Sequence, residues 1–404
     1  MAVNKTPDRR PLVLHVVTRF DTGGLENGVV NLINHMPAQA YRHAVVALTE
    51  VTDFSRRVCA PDVRFVALNK GPGQGFRLYP RMWRLVRELQ PAVVHTRNLG
   101  PLEMQVAVAA AGGAVRVHGE HGRELNDLEG ENRHLQRLRR LYAPFVHRYV
   151  ALSRDLQAYL VHKVGIAPER IAQIYNGVDA QRFTPRVGNG ADVTGWPFDN
   201  TPQAWVVGTV GRMQGVKDQT LLARAFVRAL ALRPAHSSRW RLLMVGDGPL
   251  RAAVRAVLVD AGCAALAWLP GERSDVSAIM QRLQCFVLPS RAEGISNTIL
   301  EAMACGLAVL ATDVGGNGEL VQAGRTGLLF ASGDVDGLAQ ALLQLHDDPQ
   351  RQRAMGAEGR NEVERRFSLP AMVGAYQALY DQALQNRAPK DQHQAPVGRS
   401  SKKA

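Results

Sequence analysis

Apolar residues in this chain come in short unbroken runs, separated by longer stretches where they recur every three or four positions. The runs PLVLHVVT (11–18), HAVVALT (43–49), VRFVAL (63–68), AVVHT (92–96), AVRVHGE (114–120) and RYVALS (148–153) each suit one strand. A strand apolar on both faces belongs in a sheet covered on both sides, so these runs predict a parallel sheet between layers of helix. Residues 185–203, PRVGNGADVTGWPFDNTPQ, are rich in Gly, Pro, Asn and Asp, which is linker chemistry. The rhythm then restarts with AWVVGTVG (204–211), RWRLLMVGDG (239–248), ALAWLPG (265–271), CFVLPS (285–290), LAVLATDVGG (307–316) and TGLLF (326–330). Helical patterns such as TLLARAFVRALALR (220–233) fill the gaps.

The expected fold class is therefore α/β, with two doubly wound Rossmann-like domains facing each other across a cleft. Residues 1–184 form the first domain, 185–203 the linker and 204–368 the second. The pattern LPAMVGAYQALYDQALQ follows, and residues 369–386 are expected to form a helix that crosses back to the first domain. Residues 387–404 read as a disordered basic tail. Sheets of this kind bind ligands beyond the carboxyl ends of their strands, which puts the substrate in the cleft.

A chain of 404 residues needs two or three domains. Its 46% hydrophobic and 21% charged residues fit a soluble globular protein, and no apolar run approaches the ~20 residues that span a bilayer. The start RRPLVLHVVTRFD has a short apolar core, then Arg19 and Asp21 with no small-residue cleavage site. It reads as a first strand and not a signal peptide. The cysteines, Cys59, Cys263, Cys285 and Cys305, form no metal-type pair, and the expected compartment is the cytoplasm.

The net charge of +13 is uneven. Residues 1–184 carry 25 Lys and Arg against 16 Asp and Glu, whereas residues 185–386 carry 19 of each. A basic half attracts nucleic acid, an anionic membrane or a phosphorylated substrate, or is only a solvated surface. NRHLQRLRRLYAPFVHRYV (132–150) places Arg133, Arg137 and Arg140 and Leu135, Leu138 and Leu141 at helical spacing. Such a helix either lies on an anionic membrane, making the protein peripheral on its inner face, or turns a leucine stripe to the core. Nucleic acid is not an expected partner, because no recognition module is present and aromatic content is 6%.

The stretch EGISNTILEAMACG (293–306) is the richest in chemistry. CFVLPS is a strand, so Glu293 lies in the loop leaving its carboxyl end. Ser296 is an N-cap, and Gly306 closes the helix that contains Glu301. Free backbone N–H groups at that helix start favour an anion. Carboxylates on either side suit a ligand with hydroxyls at both ends and phosphates between, the shape of a nucleotide sugar. An ordinary loop charge and an exposed helix residue are the plainer account of the pair.

The stretch 293–316 resembles the Glu, seven residues, Glu signature of the retaining glycosyltransferases of family 4, which adopt the GT-B fold. GGLE (23–26), EHG (120–122), NGVD (176–179), VGRMQGVKD (210–218) and VGDGP (245–249) resemble further motifs in the same order, over nearly the whole chain. The resemblance implies a hexosyl transfer from a nucleotide-sugar donor, most commonly a UDP-sugar. The acceptor would be a glycan or lipid-linked sugar in exopolysaccharide or cell-envelope synthesis.

It implies His121, Glu293, Arg212 and Lys217 as catalytic residues. Gly23, Gly24, Gly246, Gly294, Ile295, Ser296, Asn297 and Glu301 join Arg212 and Lys217 in holding the donor. No metal and no cofactor are expected, since a guanidinium and an ammonium on one loop can neutralise a leaving diphosphate. On the residues alone, a histidine closing a strand is more commonly structural, and His118 is a neighbour of the same kind. Gly294-Ile295-Ser296 departs from the Gly-Phe-Pro or Gly-Phe-Gly common in the family, and Gly318 replaces a common proline, which leaves the sugar open. Two alternatives remain: a nucleotide-sugar epimerase, or a protein that binds nucleotide sugars without transfer.

Overall fold

A computed structural model describes residues 10–73, 75–124, 127–188, 192–201 and 203–387. Apart from Arg387, the tail expected at 387–404 lies outside the described residues. The first sheet comprises β1 (Leu12–Val17), β2 (Arg42–Ala47), β3 (Arg64–Ala67), β4 (Val93–Arg97), β5 (Val115–Glu120), β6 (Arg148–Ala151) and β7 (Ile171–Gln173). All are parallel, in the order β3-β2-β1-β4-β5-β6-β7. The second comprises β8 (Trp205–Val210), β9 (Trp240–Val245), β10 (Ala267–Gly271), β11 (Cys285–Leu288), β12 (Ala308–Thr312) and β13 (Gly327–Phe330). It is also parallel, in the order β10-β9-β8-β11-β12-β13.

The architecture is the two-sheet α/β fold expected from the runs. The exception is β7, three half-buried residues at a sheet edge, too short and too polar to register as an apolar run. In each sheet the order reverses beside its first strand, between β1 and β4 and between β8 and β11. The loops leaving those strands diverge there and leave a crevice.

The strands are buried but not wholly apolar. His15, His43, His95, Arg97, His118 and Glu120 are all buried in the first sheet. The basic helix is Arg133–Tyr142, and the side chains it buries are Gln136 and Arg139, not leucines. Leu141 is 62% exposed. The core-facing leucine stripe is thus corrected. Arg139 turns inward because Glu120, at the end of β5, takes its Nε at 2.7 Å, and Glu124 takes its Nη2 at 2.9 Å.

The helix Leu369–Gln385 starts at Ser368, whose hydroxyl accepts from the Ala371 N–H. Its buried residues Leu369, Met372, Val373, Tyr376, Leu379, Tyr380 and Ala383 recur at helical spacing. That stripe packs against the first domain: Tyr380 Oη lies 2.8 Å from His95 Nδ1, and Tyr41 donates to Asp381. Between the sheets, Val193 and Phe198 are buried, and Trp196 meets Phe198 and Trp268 edge-on. These side chains anchor the connection to the second domain despite its loop-like composition.

Candidate active site

The site builds outward from the reversal point of the second sheet. The loop leaving β11 carries Glu293 and the loop leaving β8 carries Arg212 and Lys217, so β8 and β11 being neighbours brings these loops together. Lys217 Nζ reaches Glu293 Oε1 at 2.5 Å, and Ser290 donates to the same oxygen at 2.6 Å. The Glu293 side chain is 8% exposed and that of Lys217 is 29% exposed. One carboxylate oxygen is thereby committed, and the ammonium keeps an open flank towards the cleft. Arg212 is exposed on the same loop.

The β8 loop is held in place by glycines. A Cβ at Gly246 would lie 2.1 Å from the Gly211 carbonyl oxygen, and one at Gly248 would lie 2.6 Å from that of Met213. Both have positive φ, 125° and 146°. Only a residue without a side chain lets the turn after β9 press this closely on the Arg212 loop. Gly246 is therefore a buttress for the cation loop. Arg291 braces the same loop from the other side through Asp218 at 2.9 Å.

Gly294 makes the contact between domains. A Cβ there would stand 2.4 Å from the carbonyl oxygen of His121. Ile295 is buried, and Ser296 spends its hydroxyl on the Ile299 N–H as the cap of the helix Asn297–Ala304. Asn297, the first residue of that helix, reaches across the cleft. Its Nδ2 donates to the Gly24 carbonyl at 3.2 Å, and its Oδ1 accepts from Asn176 at 2.8 Å. Gly23 precedes the helix Gly24–His35 in an extended conformation that any residue can adopt.

Glu301 sits further along the Asn297–Ala304 helix, partly buried. Burial pushes its carboxyl up to about 7, while Arg182 and Arg57 pull it down less strongly. Those cations belong to the first domain, so Glu301 also faces across the cleft. Glu26, in the GGLE motif, is raised by burial too, with Arg212 opposing.

His121 follows β5. Its N–H donates to Asn98 at 2.8 Å, which fixes the backbone beside Gly294. Its imidazole turns inward: a Cβ at Gly119 would lie 2.9 Å from His121 Nε2 and 3.1 Å from His95 Nε2. Among the described residues both nitrogens are buried without a hydrogen-bond partner. Burial first, then Arg97 and His118, hold His121 well below the usual imidazole range, so it is neutral. His118 is a different case, tied to Thr96 at 2.9 Å and to Glu120 at 3.4 Å inside the sheet.

Lys217, Glu293 and Gly294 line one wall of a pocket of about 380 Å³. Gly122, Arg123, Glu129 and Asp155 from the first domain line the other. Residues from both domains thus surround one space, with cations and a carboxylate on the second-domain side. That arrangement can hold a polyol at Glu293 and an anion at Lys217. Sequence reading missed Arg57, Asn176, Arg182, Arg123 and Glu26 as site residues. No local spacing marks them, although Asn176 and Glu26 stand inside motifs already singled out.

Two family models match the chain: Glycosyltransferase Family 4 over residues 22–182 and Glycosyl transferases group 1 over residues 204–348. The GDP-mannose-dependent monoacylated alpha-(1-6)-phosphatidylinositol monomannoside mannosyltransferase of Corynebacterium glutamicum is 29% identical over 303 residues. That alignment covers 72% of this chain and 76% of the relative. The lipopolysaccharide core biosynthesis mannosyltransferase LpsB of Rhizobium meliloti is 30% identical over 52% of this chain and 60% of its own length. The UDP-Gal:alpha-D-GlcNAc-diphosphoundecaprenol alpha-1,3-galactosyltransferase of Escherichia coli is 26% identical over 76% and 79%. Among solved structures, HepE of Anabaena in complex with UDP superposes with a TM-score of 0.75 at 19% identity. It covers 92% of this chain and 99% of HepE, a likeness of fold.

Proposed function

The chain belongs to the group 1 and family 4 glycosyltransferases, and on that premise we propose that it moves a hexose, with retention and without a metal ion, from a nucleotide sugar to a glycan or lipid-linked acceptor. The observation that carries this reading is the Lys217–Glu293 pair at the reversal point of the second sheet, with Arg212 on the same loop.

Bond breaking in the donor sends an electron pair from the anomeric carbon to the diphosphate, so the developing charge is anionic. Lys217 and Arg212 are the cations we assign to it, since fixed cations act most strongly where charge grows. Glu293 is pre-oriented by Ser290 to accept hydrogen bonds from sugar hydroxyls. Glu301 accepts from the ribose diol. The acceptor hydroxyl bonds to the anomeric carbon on the face the diphosphate leaves, and its proton passes to a departing phosphate oxygen. His121, its ring turned inward and its carbonyl against Gly294, shapes the sugar end of the cleft through its backbone. The acceptor enters from the first-domain wall at Arg123 and Asp155.

A UDP-sugar is the donor we infer, with an exopolysaccharide or cell-envelope glycan as acceptor. GDP-mannose is the second reading, favoured by the donor in the name of the Corynebacterium glutamicum relative. The test is to incubate the protein with UDP-glucose, UDP-galactose, UDP-N-acetylglucosamine or GDP-mannose, with and without EDTA. Nucleoside diphosphate release and melting temperature are read together, with the anomeric configuration of any product assigned by NMR. Release from one donor, indifferent to EDTA and giving an α product from an α donor, supports the proposal. Donor interconversion without nucleotide release favours an epimerase. Stabilisation without turnover, with glycan and polyprenyl-linked acceptors supplied, favours a binding protein.

A further inference from the structure

At the end of the second sheet away from the cleft, two imidazoles and a carboxylate converge. His236 lies in the 3-10 turn Pro234–Ser238, just before β9. His346 and Asp347 end the helix Val335–Asp347. The His236 and His346 ring centroids are 4.2 Å apart. His346 Nδ1 is 3.4 Å from Asp347 Oδ1, and His236 Nε2 is 3.9 Å from the same oxygen. All three ligand atoms lie within 4.8 Å of one another.

We propose that His236, His346 and Asp347 bind a transition-metal dication of the zinc, copper or nickel type. In a tetrahedral site with bonds of ~2.0–2.2 Å, ligand atoms stand roughly 3.4 Å apart; here the two imidazoles lie 3.4 and 3.9 Å from Asp347 Oδ1, so modest side-chain shifts complete the site. Imidazole nitrogen with one carboxylate suits these metals, whereas magnesium and calcium prefer all-oxygen shells. His236 Nε2 is buried and has no hydrogen-bond partner among the described residues. The ring is fixed by stacking on Trp240 at 5.2 Å and 8°. His346 is gripped between Trp205 and Trp240, each 5.2 Å away. Arg233 approaches Asp347 through Oδ2, at 3.9 Å, and leaves Oδ1 to the imidazoles. Arg233 and Arg239 oppose a bound cation and limit its affinity. Water completes the shell.

The ion would tie the turn before β9 to the end of a helix more than a hundred residues later, so its effect falls on stability and not on transfer. Two of the five tryptophans border the site, and copper(II) or nickel(II) bound there quenches their emission. The experiment titrates tag-free, EDTA-stripped protein with CuCl₂, NiCl₂ or ZnCl₂, reading tryptophan fluorescence and melting temperature. It is repeated with His236→Gln and with Asp347→Asn, which keeps the packing of both rings. The expected result is saturable quenching by copper and nickel of up to about two fifths of the emission. Zinc should raise the melting temperature by several degrees. Both responses should weaken at least tenfold in metal concentration in either variant. No response at 100-fold molar excess of metal, or an equal response in both variants, overturns the site.

Discussion

Tyr175 of the first domain donates to Glu319 of the second at 2.8 Å. The same carboxylate accepts the backbone N–H of Arg154 at 2.9 Å and of Asp155 at 3.0 Å. Glu319 therefore caps the first turn of a helix in the other domain. A carboxylate at a helix start is favoured by the exposed N–H groups and the dipole, and here that preference joins the two domains.

Glu319→Gln keeps the shape and removes the charge. Charge-assisted hydrogen bonds contribute about 1.5–3 kcal/mol, so the closed-to-open ratio should fall roughly tenfold to a hundredfold. Small-angle scattering should show a larger radius of gyration, and the KM for donor should rise. An unchanged scattering profile would remove Glu319 as the latch.

Lys217→Ala removes a cation expected at the leaving group while its surroundings stay packed. Turnover should fall by about 10²–10³, the usual cost of losing one fixed group that stabilises transition-state charge. The melting temperature should change little, since the ammonium is partly open to solvent. Normal turnover with good donor would place the diphosphate elsewhere.

The raised Glu301 carboxyl has a signed consequence. The folded chain holds this proton up to about 7, whereas the unfolded chain releases it near 4.5. Its contribution to stability therefore falls as pH rises between those values. A ribose diol donates to the ionised form, so UDP or GDP should bind more tightly as pH rises from 6 to 8. Glu301→Gln should flatten that slope. Calorimetric titration at several pH values checks both, and an equally steep slope in the variant assigns it to another group.

Glu120 responds in the opposite sense. Burial alone would raise its carboxyl, but Arg139 and His118 outweigh it and hold it at about 2. The pair stabilises the fold above about 4.5, and that contribution is lost as pH falls towards 2. Glu120→Gln leaves Arg139, 1% exposed, without its closest partner. The expected cost is about 3–5 kcal/mol, read as a lower urea midpoint. A midpoint within error of the parent would mean that Glu124 suffices.

The sequence by itself determined every strand but β7, the doubly wound class and the loop that holds Glu293. Those features follow from local rules: apolar runs for buried parallel strands, Ser296 as a cap, Gly306 as a stop. It also determined the order of the motifs, which is enough to identify the family. It misled at the helix Arg133–Tyr142. Spacing there offered the leucines either to a membrane or to the core, but what goes inside depends on Glu120 and Glu124 waiting at the strand end. Only the tertiary structure decided which distant groups meet. Glu319 against Tyr175, Arg57 and Arg182 near Glu301, and His236 beside His346 are pairings across more than a hundred residues. The periods of 2 and 3.6 report which face of an element is buried, and carry no information about which element lies opposite. That is set by the reversal of strand order in each sheet and by the docking of the two sheets across the cleft.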